Sequence, residues 1–147
     1  MQLEFHAFKP ADLVGGDPAL DLVNTVTARD TQPRDWLDDY AGLLRWARQS
    51  ELFARGDLNA LDTLAAESPA KAAAALARCK SLRETLCDAL YALAHGRQPD
   101  DAALDRLDQA RLAASRAARL VSRDSRLQTQ RSGQRSGVVL IAEVITP

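Results

Sequence analysis

Asp21, Asn24 and Thr25 stand at i, i+3 and i+4 of a segment that reads as helical, and Arg29 follows one turn beyond Thr25. One helix face would then carry a carboxylate, an amide and a hydroxyl, with a guanidinium at its end. Such a set can bind a polar small molecule or a partner. The same groups can instead satisfy buried backbone of a neighbouring loop or strand, or form a plain solvated face. Asn and Thr are poor helix-interior residues on an exposed surface, so the stripe calls for a partner of some kind. Trp46 is a further candidate, either as an aromatic wall of that site or as a core residue.

The segment that must position these groups begins Gly15-Gly16-Asp17-Pro18. Two glycines permit a sharp turn into the helix. Asp17 falls where an N-cap belongs, and Pro18 at the first helical position, where its missing N–H costs nothing. This first helix is expected from about Pro18 to Ala28. Before it, Leu3 to Phe8 alternates apolar and polar residues and reads as a short strand. After it, a link with Pro33 leads to a helix from about Trp36, capped by Asp35, with Trp36, Tyr40, Leu43, Leu44 and Ala47 as its apolar stripe.

A third helix follows Asp57, with Leu58, Leu61 and Leu64 inward. Ser68-Pro69 opens the longest helix, to about His95, and Gly96 suits its C-terminal cap. Its expected core face is Leu76, Cys79, Leu82, Leu86, Leu90 and Leu93. A last helix runs from Asp100 or Asp101 to about Arg119, with Leu104, Leu107, Ala110, Ala114 and Ala117 inward. Leu120–Arg123 and Leu127–Gln130 read as two strands around Asp124-Ser125, a hairpin that could pair with strand 3–8. Residues 132–137 read as a turn or loop, and Val138 to Ile145 as a strand, with a terminal helix as the alternative. The expected fold is mainly α (α+β): a single domain over 1–147, a bundle of about five helices with a small antiparallel sheet made by the N-terminal strand and the C-terminal hairpin.

Composition narrows the function classes. With 46% apolar and 27% charged residues, the chain reads as soluble and globular, and no apolar stretch approaches transmembrane length. The N-terminus lacks the pattern of a secretory signal, so the cytoplasm is the default compartment and no membrane is expected as a partner. The net charge of −1 hides an asymmetry. Residues 1–110 carry 12 basic and 18 acidic side chains; residues 111–136 carry seven arginines and one acid. Arg116, Arg119, Arg123 and Arg126 could touch nucleic acid through this segment, or pair with the acidic body.

No nucleophile elbow, phosphate-binding loop or Cys–His pair is present, so an enzyme is not expected. Cys79 and Cys87, about 12 Å apart along one helix, read as buried thiols rather than a bridge or metal pair. His6 and His95 are isolated. No metal and no cofactor is expected.

Phe8, Gly15-Gly16-x-x-Ala19-Leu20-Asp21-Leu22-Val23-Asn24-Thr25 and Arg29 together resemble the start of the ABATE domain, found in stress-induced transcription regulators of the CGNR zinc-finger family. The likeness continues in Leu43-Leu44-x-Trp46-Ala47, Leu82-Arg83-Glu84-x-Leu86 and Ala92-Leu93-Ala94-x-Gly96-x-x-Pro99, then fades to Arg119-Leu120-Val121. It covers roughly residues 5–125; residues 126–147 match poorly. The resemblance implies a regulatory, sensing domain that binds a small molecule or protein partner, with Asp21, Asn24, Thr25 and Arg29 as polar lining. It also implies that full-length relatives continue into a cysteine-rich zinc module with a Cys-Gly-Asn-Arg signature. No such residues occur up to Pro147, so the module's metal site and DNA contact are not carried over, and DNA would be reached only indirectly. A dimerisation module, or weak nucleic-acid binding through residues 111–136, is the alternative.

Overall fold

The computed structural model describes residues 6–116 and 118–131. Five helices account for most of them: α1 (Pro18–Val23), α2 (Tyr40–Gln49), α3 (Arg55–Glu67), α4 (Pro69–Ala94) and α5 (Asp101–Arg116). Two antiparallel pairs complete the fold: β1 (Val26–Thr27) with β2 (Arg34–Asp35), and β3 (Ala118–Arg123) with β4 (Arg126–Arg131). The expected single sheet shared by the chain ends is therefore corrected to two separate ribbons. Residues 6–9 form no strand, and the rest of the expected N-terminal strand lies outside the described residues, as does the strand expected at 138–145.

α1 begins as its sequence dictates. The Asp17 carboxylate accepts from the Ala19 N–H at 2.8 Å, and Pro18 occupies the first turn. The helix ends at Val23, one turn earlier than the periodicity suggests. The β-branched run Thr25-Val26-Thr27 favours extended backbone. The Thr25 hydroxyl also turns back to donate to the Leu22 carbonyl at 2.7 Å, and Ala28 adopts a left-handed φ of 54°. Val26 pairs with Asp35 and Thr27 with Arg34, closing a short hairpin beside α1.

α2 also begins later than expected. Asp39, not Asp35, is its N-cap, accepting from the Gly42 N–H at 2.6 Å. Asp35 is extended and its carboxylate is engaged elsewhere, so it cannot cap. The core gathers on α2 and its neighbours: Leu22, Leu37, Leu43, Leu44, Trp46, Leu58, Leu61 and Cys79 are buried together. Each leucine-sized side chain contributes roughly 1.5–3 kcal/mol of burial.

α4 is the spine, packing against α1, α2, α3 and α5. Its buried residues are Ala75, Cys79, Arg83, Thr85, Cys87, Ala89 and Ala92. The expected leucine face is thus rotated: Cys79 holds its place, Leu76, Leu82, Leu86 and Leu90 are half-buried, and Leu93 is 59% exposed. A helix with neighbours on two sides places small residues at the closest approaches and leucines beside them. On α5, Ala103 and Ala114 are buried while Leu104 is exposed; Ala117 lies outside the described residues.

Candidate functional site

The loop before α1, the end of α1 and the β1–β2 link surround a cleft of about 760 Å³. A cleft of that size suits a small organic ligand. Asp21, Asn24, Thr25, Arg29 and Trp46 all line it, so the five residues singled out from the sequence meet on one surface.

The double glycine shapes one wall. The Gly15 N–H donates to Asp21 Oδ1 at 2.7 Å. A Cβ on Gly15 would stand 2.8 Å from the Leu20 Cβ and 2.9 Å from that same oxygen, so only glycine permits the approach. Gly16 supplies the turn, with φ at +73°. Asp21 therefore fastens the loop to α1 with one oxygen. Nearby, Asp12 Oδ2 accepts from the Lys9 N–H at 2.8 Å and lies 3.2 Å from His6 Nε2. The His6 ring sits against Phe8 and Trp36, with centroids 4.7 and 4.4 Å apart. Trp36 donates through Nε1 to the Thr27 hydroxyl, and Arg34 covers its ring at 3.9 Å.

Thr25 and Arg29 have a second allegiance, to a polar cluster between the β1–β2 hairpin and α4 whose centre, Arg83, is buried and whose carboxylates are partly exposed. Arg83 is 2% exposed and grips Asp35 with two bonds, Nη1 to Oδ1 at 2.9 Å and Nη2 to Oδ2 at 2.8 Å. Its Nη1 also donates to the Thr25 hydroxyl at 2.9 Å and its Nε to Glu84 at 2.8 Å. Arg29 donates to the other Glu84 oxygen at 2.6 Å and to the Val23 carbonyl at 3.0 Å. Lys80 reaches Asp35 at 3.0 Å.

Burial works to raise the Asp35 pKa, but bonds from Arg83, the Leu37 N–H and Lys80 outweigh it and hold the carboxyl down at about 2. Glu84 is likewise lowered: burial opposes its charge, and Arg29 and Arg83 overcome that. Burial also opposes the charge on Arg83, and its two carboxylate partners overcompensate, so its pKa rises.

Sequence reasoning missed Asp35, Lys80, Arg83 and Glu84 as a unit. The available signal was Arg83 itself, which falls one turn after Cys79 and two after Ala75 on a face that is otherwise apolar.

The other side chains divide clearly. Asn24 is exposed on the cleft and makes no side-chain hydrogen bond among the described residues; Asp30 is in the same position. Trp46 is fully buried, and its Nε1–H meets no acceptor among the described residues; Arg29 Nε is likewise unpartnered. Trp46 thus belongs to both the core and the cleft wall.

Arg116, Arg119, Arg123 and Arg126 lie away from the cleft, exposed at the end of α5 and on the β3–β4 hairpin. The register sets Arg123 opposite Arg126 and Arg119 opposite Gln130, so three arginines share one hairpin face. Cys79 and Cys87 are buried thiols that form no disulfide; burial pushes the Cys79 thiol up to about 12 and raises that of Cys87. No described helix is long and apolar enough to cross a membrane. Among the described residues no group of three or more His, Cys, Asp and Glu gathers to hold a metal ion.

No curated protein and no solved structure matches the chain. A family model does, over residues 16–145, which takes in Asp21, Asn24, Thr25 and Arg29 of the cleft and the Arg83–Glu84 pair on α4; the match begins later than the expected residue 5 and runs on through most of the segment 126–147 that was expected to match poorly. The chain belongs to the ABATE family, whose description reads "Putative stress-induced transcription regulator".

Proposed function

We propose that this chain is a sensing domain that binds a small molecule in the cleft beside α1 and passes the bound state to α4. One observation carries the reading. The polar stripe and Trp46, picked out by residue type and spacing, converge on a cleft of about 760 Å³ that exposes an uncommitted amide, Asn24. Arg29 gives the site an output, because the guanidinium that lines the cleft also holds Glu84 on α4. A ligand that draws on Arg29 alters a contact of the central helix. In a transcription regulator, such a contact is a route from ligand to partner.

The test is a ligand screen on the full chain with a library balanced in charge. Binding is followed by 1H–15N spectra at the Trp36 and Trp46 indoles and at the amides of residues 24–31. The expected result is a set of compounds that move these signals together, with Asn24→Ala weakening them about tenfold, the worth of one hydrogen bond, and leaving the melting midpoint unchanged. A screen in which every hit moves signals elsewhere, or none binds, overturns the reading. Unfolding of Asn24→Ala would return Asn24 to a structural role.

A second reading has its own observation. Leu120 and Leu127 are 69% and 73% exposed on the β3–β4 hairpin, and the register puts them on the same face, opposite to Arg119, Arg123 and Arg126. Such a ribbon suits self-association or a partner chain. A strict monomer at high concentration by light scattering argues against self-association. Nucleic-acid binding through the arginine face predicts steep loss of affinity with salt; absence of binding at low salt removes it.

A further inference from the structure

The cleft also carries information on the kind of ligand it takes, which rests on the reading above. We infer that it binds an uncharged aromatic molecule bearing a carbonyl or ring-nitrogen acceptor, and that it rejects anions.

Charge sets the first half of this. The cationic lining residue Arg29 is already paired with Glu84, and His6 stands against Asp12. Asp21 and Asp30 remain on the lining with no cationic partner among the described residues. An anion in the cleft would face two carboxylates and would have to compete with Glu84 for Arg29. N–H donors on an uncharged ligand would instead find acceptors in Asp30 and in the second oxygen of Asp21.

The unpaired donors set the second half. Trp46 is fully buried and still lines the cleft, and its Nε1–H has no acceptor among the described residues; Arg29 Nε, on the same lining, has none either. A buried donor without an acceptor is costly; both atoms are closed to solvent here, and a ligand acceptor that parts the side chains over them removes that cost. The walls supply the third part, since Phe8, Val23, Val26 and Trp36 present apolar and aromatic surface to a flat body.

The full chain is titrated with 2-naphthamide and with 2-naphthoate, which match in shape and differ in charge. The Trp46 indole N–H and the amides of residues 24–31 are followed in 1H–15N spectra. The expected result is that 2-naphthamide shifts the Trp46 indole and binds at least about tenfold more tightly than 2-naphthoate. Asp21→Asn combined with Asp30→Asn keeps the acceptor for Gly15 and narrows the gap to about threefold or less. Trp46→Phe weakens 2-naphthamide; if that variant fails to fold, the shift of the native indole carries the same test.

Equal or tighter binding of 2-naphthoate overturns the charge argument. Shifts at residues 24–31 with the indole unmoved overturn the acceptor argument. No binding of either probe overturns the inference, while the broad screen separately decides whether the cleft binds small molecules at all.

Discussion

Two regions of this protein are rich in polar side chains, and they use them in opposite ways. Between the β1–β2 hairpin and α4, five charged side chains are committed to one another: Arg83 to Asp35, Glu84 and also Thr25, Arg29 to Glu84, Lys80 to Asp35. On the β3–β4 hairpin Arg119, Arg123 and Arg126 are exposed. The first arrangement fixes the position of the cleft relative to the central helix. The second leaves charge available to solvent or to a partner. Polar content alone therefore says little; what separates a structural group from an available one is whether its bonds are already made.

The sharpest way to break that comparison is Arg83→Met. It removes the cation shared by Asp35 and Glu84, leaving them Lys80 and Arg29 as partners, and should cost about 2–3 kcal/mol in chemical denaturation. Arg119→Gln, by contrast, should leave the denaturation midpoint unchanged. Similar losses from both would erase the distinction. Gly15→Ala comes next, at about 1–3 kcal/mol, because its Cβ meets Leu20 and Asp21 at less than van der Waals distance. Lowered stability together with chemical-shift changes at the amides of residues 15–21 would confirm that cause.

Acid gives a smaller, graded effect. The Asp35 carboxyl ionises at about 2 in the folded protein against an ordinary value of 3.8. The depressed value means that its stabilisation is complete above about pH 4 and is lost as pH falls through 2. Allowing for its part exposure, the loss is on the order of 1–2 kcal/mol. Glu84, lowered for the same reason, acts in the same direction. Denaturation midpoints between pH 5 and pH 2 should fall for the native chain and fall less for Arg83→Met. Parallel curves would show that the cluster is not the acid-sensitive element.

Local chemistry was the legible part of the sequence. Asp17-Pro18 capped α1, Ser68-Pro69 opened α4, and Asp124-Ser125 made the two-residue turn of the C-terminal hairpin, with φ of 49° and 59°. The polar set Asp21, Asn24, Thr25 and Arg29 was legible by residue type, but the helix that spacing implied stops at Val23; the Thr25 turn, the β1 strand and the left-handed Ala28 bring Thr25 and Arg29 to the cleft instead. What the sequence hid were the competitions. Asp35 had the type and place of an N-cap, but Arg83, 48 residues away, claimed its carboxylate. The leucine stripe on α4 looked like its core face, but a spine packed on two sides buries alanines, Cys79 and Arg83 instead. Each depends on a partner distant in sequence, which periodicity does not contain.

Thr25 and Asn24, neighbours on the chain, condense the comparison into one pair. Thr25 donates to Leu22 and accepts from Arg83, while Asn24 bonds with its backbone only. The most direct measurement is therefore a paired one: melting curves and titration with a cleft-binding compound for Thr25→Val and Asn24→Ala. Thr25→Val is predicted to lose about 1 kcal/mol of stability and largely to keep its affinity, whereas Asn24→Ala keeps its stability and loses affinity. The reverse pattern, or the same response from both, would contradict the division between a structural cluster and an open binding cleft.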